Sequence, residues 1–125
     1  MIEEAYVSFE TARLLKEKGF DINTDTSYVV DNTNRPAVKV GDFLHNMPRN
    51  EKHLIAAPTQ ALAMRWLREV HNLHIDIDVS EGDWNPCVIE LEDWSVVSEY
   101  DTEKTQDTYE NAVEYALKYC LTNLI

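Results

Sequence analysis

Residues 73–79 alternate strictly between apolar and polar side chains, and no other feature limits the possible folds of this chain as strongly. The apolar positions are Leu73, Ile75, Ile77 and Val79, and the polar positions between them are His74, Asp76 and Asp78. Because successive side chains of a strand point to opposite faces, this period of two predicts a β-strand. One face of that strand packs against a core, and the other face is open.

Five other segments have the composition of strands. One of them, Cys87–Glu92, alternates in the same way as residues 73–79. In this segment Cys87, Ile89 and Leu91 are expected to face inward, whereas Glu90 and Glu92 are expected to face outward. The link that follows has no glycine or asparagine, so a hairpin and a bulged continuous strand both stay open there. The five segments are Ser27–Asp31, Ala37–Val40 after a turn-rich stretch at 32–36, His53–Ala57 after a loop at 41–52 with one helical turn at Asp42–His45, Cys87–Glu92, and Trp94–Tyr100.

Three segments carry apolar residues at helical spacing. The first covers residues 9–18 after the cap candidate Ser8, the second covers Thr59–His71, and the third follows the cap candidate Thr108 and reaches Leu124. Gly19 and Phe20 match a Schellman stop after the first helix. On the third helix, Glu114 and Lys118 are expected on the solvent side as an i,i+4 pair.

These elements predict one α+β domain over residues 1–125. We expect an antiparallel sheet of four to six strands with about three helices, two of them packed on one face of the sheet. The two cysteines, Cys87 and Cys120, are expected to point inward and to be reduced, because the acidic N-terminus is unlike a signal peptide. The expected location is the cytoplasm, and no membrane span is expected because the longest apolar stretch is about five residues.

The negative charge of the chain is concentrated in its second half. Residues 1–71 carry ten acidic and nine basic side chains, whereas residues 72–125 carry thirteen and two, so the net charges are −1 and −11. Such a charge repels nucleic acid and anionic lipid, and we expect direct binding to neither. If the strands are neighbours, most of these carboxylates share one open face. A solvated face that keeps the protein soluble and a surface for a basic protein partner both fit this pattern.

The candidate partner-binding residues are the acidic side chains of this region and one tryptophan. They are Asp76, Asp78, Glu81, Asp83, Trp84, Glu90, Glu92 and Glu99. Trp84 is predicted to lie in a loop, where it can anchor a partner or fold over the sheet edge. Trp66 and Trp94 fall on apolar stripes and are expected in the core.

The residues His71, His74, Asp76 and Asp78 resemble a set of metal ligands in composition. The last three share one face of the predicted strand, in steps of ~6.6 Å. Ligands spread along a strand in this way rarely converge on one ion, which needs distances of ~2.0–2.6 Å. We therefore expect an ordinary outer strand face, with no metal, no cofactor and no catalytic residue.

Three blocks of the sequence resemble, in this order, a group of small phage and prophage proteins of gut bacteria to which no activity is assigned. The blocks are Val7–Ala12 with Lys18–Asp21, Ala57–Gln60 with Arg65–Glu69, and Asp107–Ala112 continuing to Leu121. The resemblance covers most of the chain. It implies an accessory protein of phage type inside a bacterial host cell.

Three functions are compatible with these observations. We expect a non-enzymatic accessory protein that acts through protein–protein interaction. The alternatives are an acidic mimic of nucleic acid that inhibits a nucleic-acid-binding host protein, and a metal-assisted hydrolase that uses His74, Asp76 and Asp78. The oligomeric state does not follow from the sequence.

Overall fold

The structure, a computed structural model, describes residues 2–30, 38–40, 54–97 and 105–125. Its fold is α+β, as predicted. The described strands form two antiparallel sheets of three strands each, instead of the single sheet expected. The elements are α1 (Phe9–Glu17), β1 (Ser27–Val29), β2 (Val38–Val40), β3 (Leu54–Ala56), α2 (Gln60–His71), β4 (Leu73–Ser80), β5 (Asp83–Glu90), β6 (Ser95–Val96) and α3 (Tyr109–Tyr119), which continues as a π-helical turn over Cys120–Leu124.

Local capping residues fix the ends of α1 and match the prediction to within one residue. The Ser8 hydroxyl accepts a hydrogen bond from the Thr11 amide at 3.2 Å. At the other end, the Phe20 amide donates to the Leu15 carbonyl at 3.0 Å, and Gly19 has a φ of +95°. This is the Schellman arrangement, in which glycine takes the left-handed conformation without a steric penalty.

The same chemistry begins the other two helices. The Thr59 hydroxyl accepts from the Leu62 amide at 3.1 Å, and the Thr108 hydroxyl accepts from the Asn111 amide at 3.1 Å. Both threonines are therefore N-caps, as predicted. Asn72, with a φ of +57°, ends α2 and leads directly into β4.

The first sheet has the strand order β2-β1-β3. The predicted hairpin between Ser27–Asp31 and Ala37–Val40 is confirmed, because β1 and β2 pair antiparallel with Tyr28 opposite Lys39. The short strand expected within His53–Ala57 is confirmed as β3. The predicted turn at 32–36 and the loop at 41–52, with its helical turn, lie outside the described residues.

The second sheet has the order β4-β5-β6. A two-residue turn of Glu81 (φ +50°) and Gly82 (φ +86°) joins β4 to β5 and places Ser80 opposite Asp83. Two residues with positive φ make a turn of type I′, the form that suits a tight hairpin. The sequence left a hairpin and a bulged continuous strand open for the link after residue 92. The structure has a hairpin there, since β5 and β6 pair antiparallel.

The register of the first of these hairpins overturns the predicted inward face of β5. Ile75 is opposite Val88, and both are buried, whereas Cys87 and Ile89 lie on the other face and are half-buried. Residues directly opposite in an antiparallel pair share a face, so the hairpin turn decides which residues of β5 point inward. The expectation that Cys87 and Ile89 point inward is wrong.

One core lies between the helices and the second sheet. Helix α2 packs against β4, and α3 packs against both β4 and β5, so two helices cover one face of this sheet, as predicted. Trp66 (5% exposed) and Cys120 (0%) are in this core, also as predicted. The largest fully buried side chains include Leu15, Leu67, Val88, Leu117 and Leu121.

Glu114 does not form the predicted pair with Lys118. Its carboxylate accepts hydrogen bonds from the Ser8 amide (2.7 Å), the Ser8 hydroxyl (3.0 Å) and the Thr11 hydroxyl (2.6 Å). Lys118 instead pairs with Glu10 at 3.0 Å. The carboxylate of α3 therefore caps the N-terminus of α1, where the helix dipole favours negative charge.

Candidate functional site

The candidate site is the face of the second sheet opposite the helices, which we call the outer face. Since directly opposed residues share a face, the β4–β5 and β5–β6 registers assign its members. Asp76, Asp78 and Asp83 on this face are exposed, and Cys87 is half-buried. The outer face consists of His74, Asp76, Asp78 and Ser80 from β4, Asp83, Asn85, Cys87 and Ile89 from β5, and Val96 from β6.

The structure brings together three of the seven acidic residues predicted as binding candidates. Asp76, Asp78 and Asp83 share the outer face, and Glu81 lies in the turn beside them. Glu90 is opposite Leu73 and so belongs to the helix-side face, although it is exposed at the end of the strand. Glu92 lies in the turn after β5, and the seventh residue, Glu99, lies outside the described residues. The expectation that Glu90 shares the open face is therefore wrong.

Within the described part of the chain, no ion pair neutralises the carboxylates of the outer face. Among the residues that the structure describes, the ion pairs are Arg65–Glu69 and Lys118–Glu10, both on helices. None of Asp76, Asp78 or Asp83 takes part in them. Because like charges on one sheet face repel, the outer face carries an electrostatic cost that a cationic partner would remove.

The second hairpin presents two exposed apolar side chains, toward the end of the sheet away from the Glu81–Gly82 turn. Val96 is opposite Ile89 on the outer face and is 58% exposed. Trp94, in the turn before β6, is 76% exposed and has a φ of +61°. The expectation that Trp94 is in the core is therefore wrong. A tryptophan in the left-handed conformation is rare, and the tight turn carries its side chain out of the alternating series.

The turn before β6 is held by Asp93 and Ser95. The Asp93 carboxylate accepts hydrogen bonds from the Ser95 hydroxyl at 2.6 Å and the Ser95 amide at 3.0 Å. Both hydrogen bonds lower the pKa of Asp93, and the bond from the hydroxyl has the larger effect. The Asp-Trp-Ser sequence is the signal that could have identified this turn, because aspartate commonly bonds to the backbone two residues on.

Trp84 lies in β5 and not in the predicted loop. Its backbone exchanges two hydrogen bonds of 2.9 Å with Gln106, and its ring meets the Tyr109 ring edge-on with centroids 5.8 Å apart. The residue is half-buried and opposite Val79, on the helix-side face. Of the two interpretations of Trp84, this placement corresponds to packing over the sheet edge.

The predicted set of metal-like residues is divided between two elements. His74, Asp76 and Asp78 share the outer face as expected, but His71 is the last residue of α2 and packs against Trp66, with ring centroids 4.8 Å apart. Within the described ranges, no group of three or more histidine, cysteine or acidic side chains is arranged to hold a metal ion.

The thiol of Cys87 reports on the charge of the outer face. Burial raises the pKa of Cys87, and the negative charges of Asp76 and Asp78 raise it further. Burial raises the pKa of Cys120 to about 12. Both thiols are free. Cys87 is therefore an accessible probe of the carboxylates beside it, and Cys120 is not.

Alkylation of Cys87 by iodoacetamide should become faster in the Asp76→Asn variant at pH 8. Removing a neighbouring negative charge lowers the pKa of the thiol, so more of the reactive thiolate is present at that pH. Mass spectrometry of the folded protein measures the rate for each cysteine, and Cys120 should stay unmodified. Glu90→Gln, on the opposite face, is the control and should leave the rate unchanged. Equal acceleration in both variants would contradict the assigned faces.

A scan against models of protein families, a search of curated proteins and a search of solved structures each give no match to this chain. No helix within the described ranges combines the length and apolar character needed to cross a lipid bilayer. The fold and the outer face are therefore the features on which a function can be based.

Proposed function

We propose that this chain is a non-enzymatic accessory protein of phage type that binds a protein partner bearing basic side chains through the outer face. The observation that carries the proposal is the combination of three carboxylates that form no ion pair with a described residue, Asp76, Asp78 and Asp83, with the exposed apolar residues Trp94 and Val96 on the same sheet. Protein interfaces commonly combine an apolar anchor with charges at the rim, and tryptophan is frequent among the residues that dominate affinity. The phage context is supported by the resemblance of the three sequence blocks alone.

Mimicry of nucleic acid is supported less well by the geometry. Three carboxylates share the outer face with Ile89, Val96 and the half-buried Cys87, so the surface is mixed in character. A mimic that acts through charge alone would lose its target at high salt and would compete with DNA. A partner that also contacts Trp94 should be retained in part at high salt, since apolar contacts are not screened.

Capture from a bacterial lysate with three immobilised forms of the protein tests this function. The parent should retain a specific partner, and the variant Asp76→Asn/Asp78→Asn/Asp83→Asn should retain at least about tenfold less, because it lacks the charges that match the partner. The matched control Glu3→Gln/Glu4→Gln/Asp21→Asn removes three exposed acidic charges outside the sheet and should behave as the parent. Quantitative mass spectrometry of the eluates measures the difference.

The possible outcomes separate the candidate functions. Equal loss in both triple variants would indicate non-specific attraction to acidic protein and would refute the proposal. Full retention by the outer-face variant, with loss in Trp94→Ala, would show that the carboxylates only solubilise the protein. A partner displaced by duplex DNA would favour mimicry.

A further inference from the structure

Strand β4 is an outer strand of its sheet and is paired on one side by β5. The sheet order is β4-β5-β6, and among the described residues no strand pairs with the other side of β4. The strand is eight residues long, which is long for an unpaired edge. An unpaired edge presents free N–H and C=O groups, which can accept another extended chain.

The register shows which residues of β4 direct their peptide groups to the open side. The Val88 carbonyl accepts from the Val97 amide at 2.9 Å, so Val88 bonds on the β6 side of β5. Peptide groups of successive residues alternate in direction, so Cys87 bonds toward β4, where it is opposite Asp76. The N–H and C=O groups of Asp76 are therefore directed toward β5, and those of the odd-numbered residues of β4 are directed toward the open edge. Those residues are Ile75, Ile77 and Val79.

The second half of this edge is accessible. Val79 is 59% exposed and Ile77 is half-buried, whereas Ile75 is only 5% exposed. Asp76 and Asp78 are exposed on the outer face between these positions. An added strand could therefore pair along residues 76–80 with its side chains beside both faces of the sheet.

The charges of β4 argue against a second copy of this chain as the added strand. Antiparallel self-pairing centred on Ile77 would place Asp76 of each copy opposite Asp78 of the other. Like charges directly opposite are destabilising in a sheet, and charged side chains are a common protection against edge-to-edge association. The same positions favour a strand that carries lysine or arginine where it faces Asp76 and Asp78.

We infer that the open edge of β4 binds an extended segment of a partner protein as a fourth, antiparallel strand. The segment has basic side chains at alternate positions, which lie beside Asp76 and Asp78, and apolar side chains between them, which lie beside Ile77 and Val79. Strand addition of this kind takes affinity from main-chain hydrogen bonds and specificity from alternate side chains. The inference rests on the proposed function and specifies how its basic partner is held.

A seven-residue peptide with alternating lysine and valine, acetylated and amidated at its ends, is the probe. In the antiparallel arrangement its valine nitrogens donate to β4 and its lysine nitrogens point away. A peptide methylated on the valine nitrogens should therefore bind at least about tenfold more weakly than one methylated on the lysine nitrogens, although the two have the same mass and charge. Chemical-shift titration measures both affinities, and the unmethylated peptide should slow amide hydrogen exchange at Ile77 and Val79.

A protein variant tests the same edge independently. Val79→Pro removes an N–H that points to the open side, so the β4–β5 pairing is kept while peptide affinity falls several-fold. Equal binding of the two methylated peptides, or stronger binding of the valine-methylated one, would overturn the inference even if Val79→Pro did not fold. If peptide affinity falls in Asp76→Asn/Asp78→Asn but is the same for both methylated peptides, the inference of strand addition fails while binding through the outer face stays supported. If affinity responds to neither change, the inference and the proposed function both fail.

Discussion

The variant Cys120→Asp should lose about 3–5 kcal/mol of its free energy of unfolding, the largest effect that we expect from a single substitution. Cys120 is fully buried, at the start of the π-helical turn, and burial raises the pKa of its thiol to about 12 because it disfavours the thiolate. A carboxylate at this position would be deprived of water, and its charge would be buried in the apolar core. Since domains of this size have total stabilities of ~5–15 kcal/mol, much of the variant should be unfolded at 37 °C.

Urea unfolding at pH 7 and pH 5 measures this loss, and Cys120→Ala is the matched control. Burial raises the pKa of the introduced aspartate, so protonation at lower pH should restore part of the lost stability. The alanine variant, which has no charge, should show a smaller loss of the same size at both pH values relative to the parent. Equal losses for alanine and aspartate, or a Cys87–Cys120 disulfide needed for folding, would contradict the assigned core position.

The sequence was sufficient for elements whose signals are local. Ser8, Thr59 and Thr108 bond to backbone amides three residues later, so a cap is visible in a few consecutive residues. The same holds for Gly19, whose positive φ ends α1. The alternation at 73–79 correctly separated the buried Ile75 from the exposed Asp76 for a similar reason. Successive side chains of a strand point to opposite faces, so this pattern is visible within the strand itself.

The candidate site could be predicted only in part, because it depends on how strands are joined. In β5 both alternate sets contain apolar residues, Pro86 and Val88 in one and Cys87 and Ile89 in the other. Their composition therefore leaves the inward set undecided, and the two-residue turn before β5 settles it through the register. The misassignment of Glu90 follows from this ambiguity.

Other features need contacts between distant parts of the chain. Glu114 lies 106 residues from Ser8, and nothing near Glu114 in the sequence distinguishes a solvated glutamate from one that accepts hydrogen bonds from another helix. The division into two sheets has the same origin, since β1 pairs with β3 across the 24 residues between these two strands, and no local pattern predicts that pairing.

The second large effect is expected at Glu114, where replacement by alanine should cost about 2–3 kcal/mol of stability. Its carboxylate accepts three hydrogen bonds of 2.6–3.0 Å from Ser8 and Thr11 at the start of α1. Hydrogen bonds to a charged group are the stronger kind, and the hydroxyl of the buried Thr11 would be left without this acceptor. Urea unfolding measures the loss. The control is Glu69→Gln, which removes an exposed carboxylate from its pair with Arg65 and should cost about 0.5 kcal/mol or less.

A double-mutant cycle with Thr11→Val separates loss of these bonds from a general effect on α3. Thr11 is fully buried, and its hydroxyl donates to Glu114 at 2.6 Å. If the two side chains act through this bond, either single change removes it, so the double variant should be more stable than the sum of the two losses implies. Losses that add without coupling would mean that Glu114 stabilises the fold through α3 alone, and the cap at the start of α1 would then be of no energetic consequence.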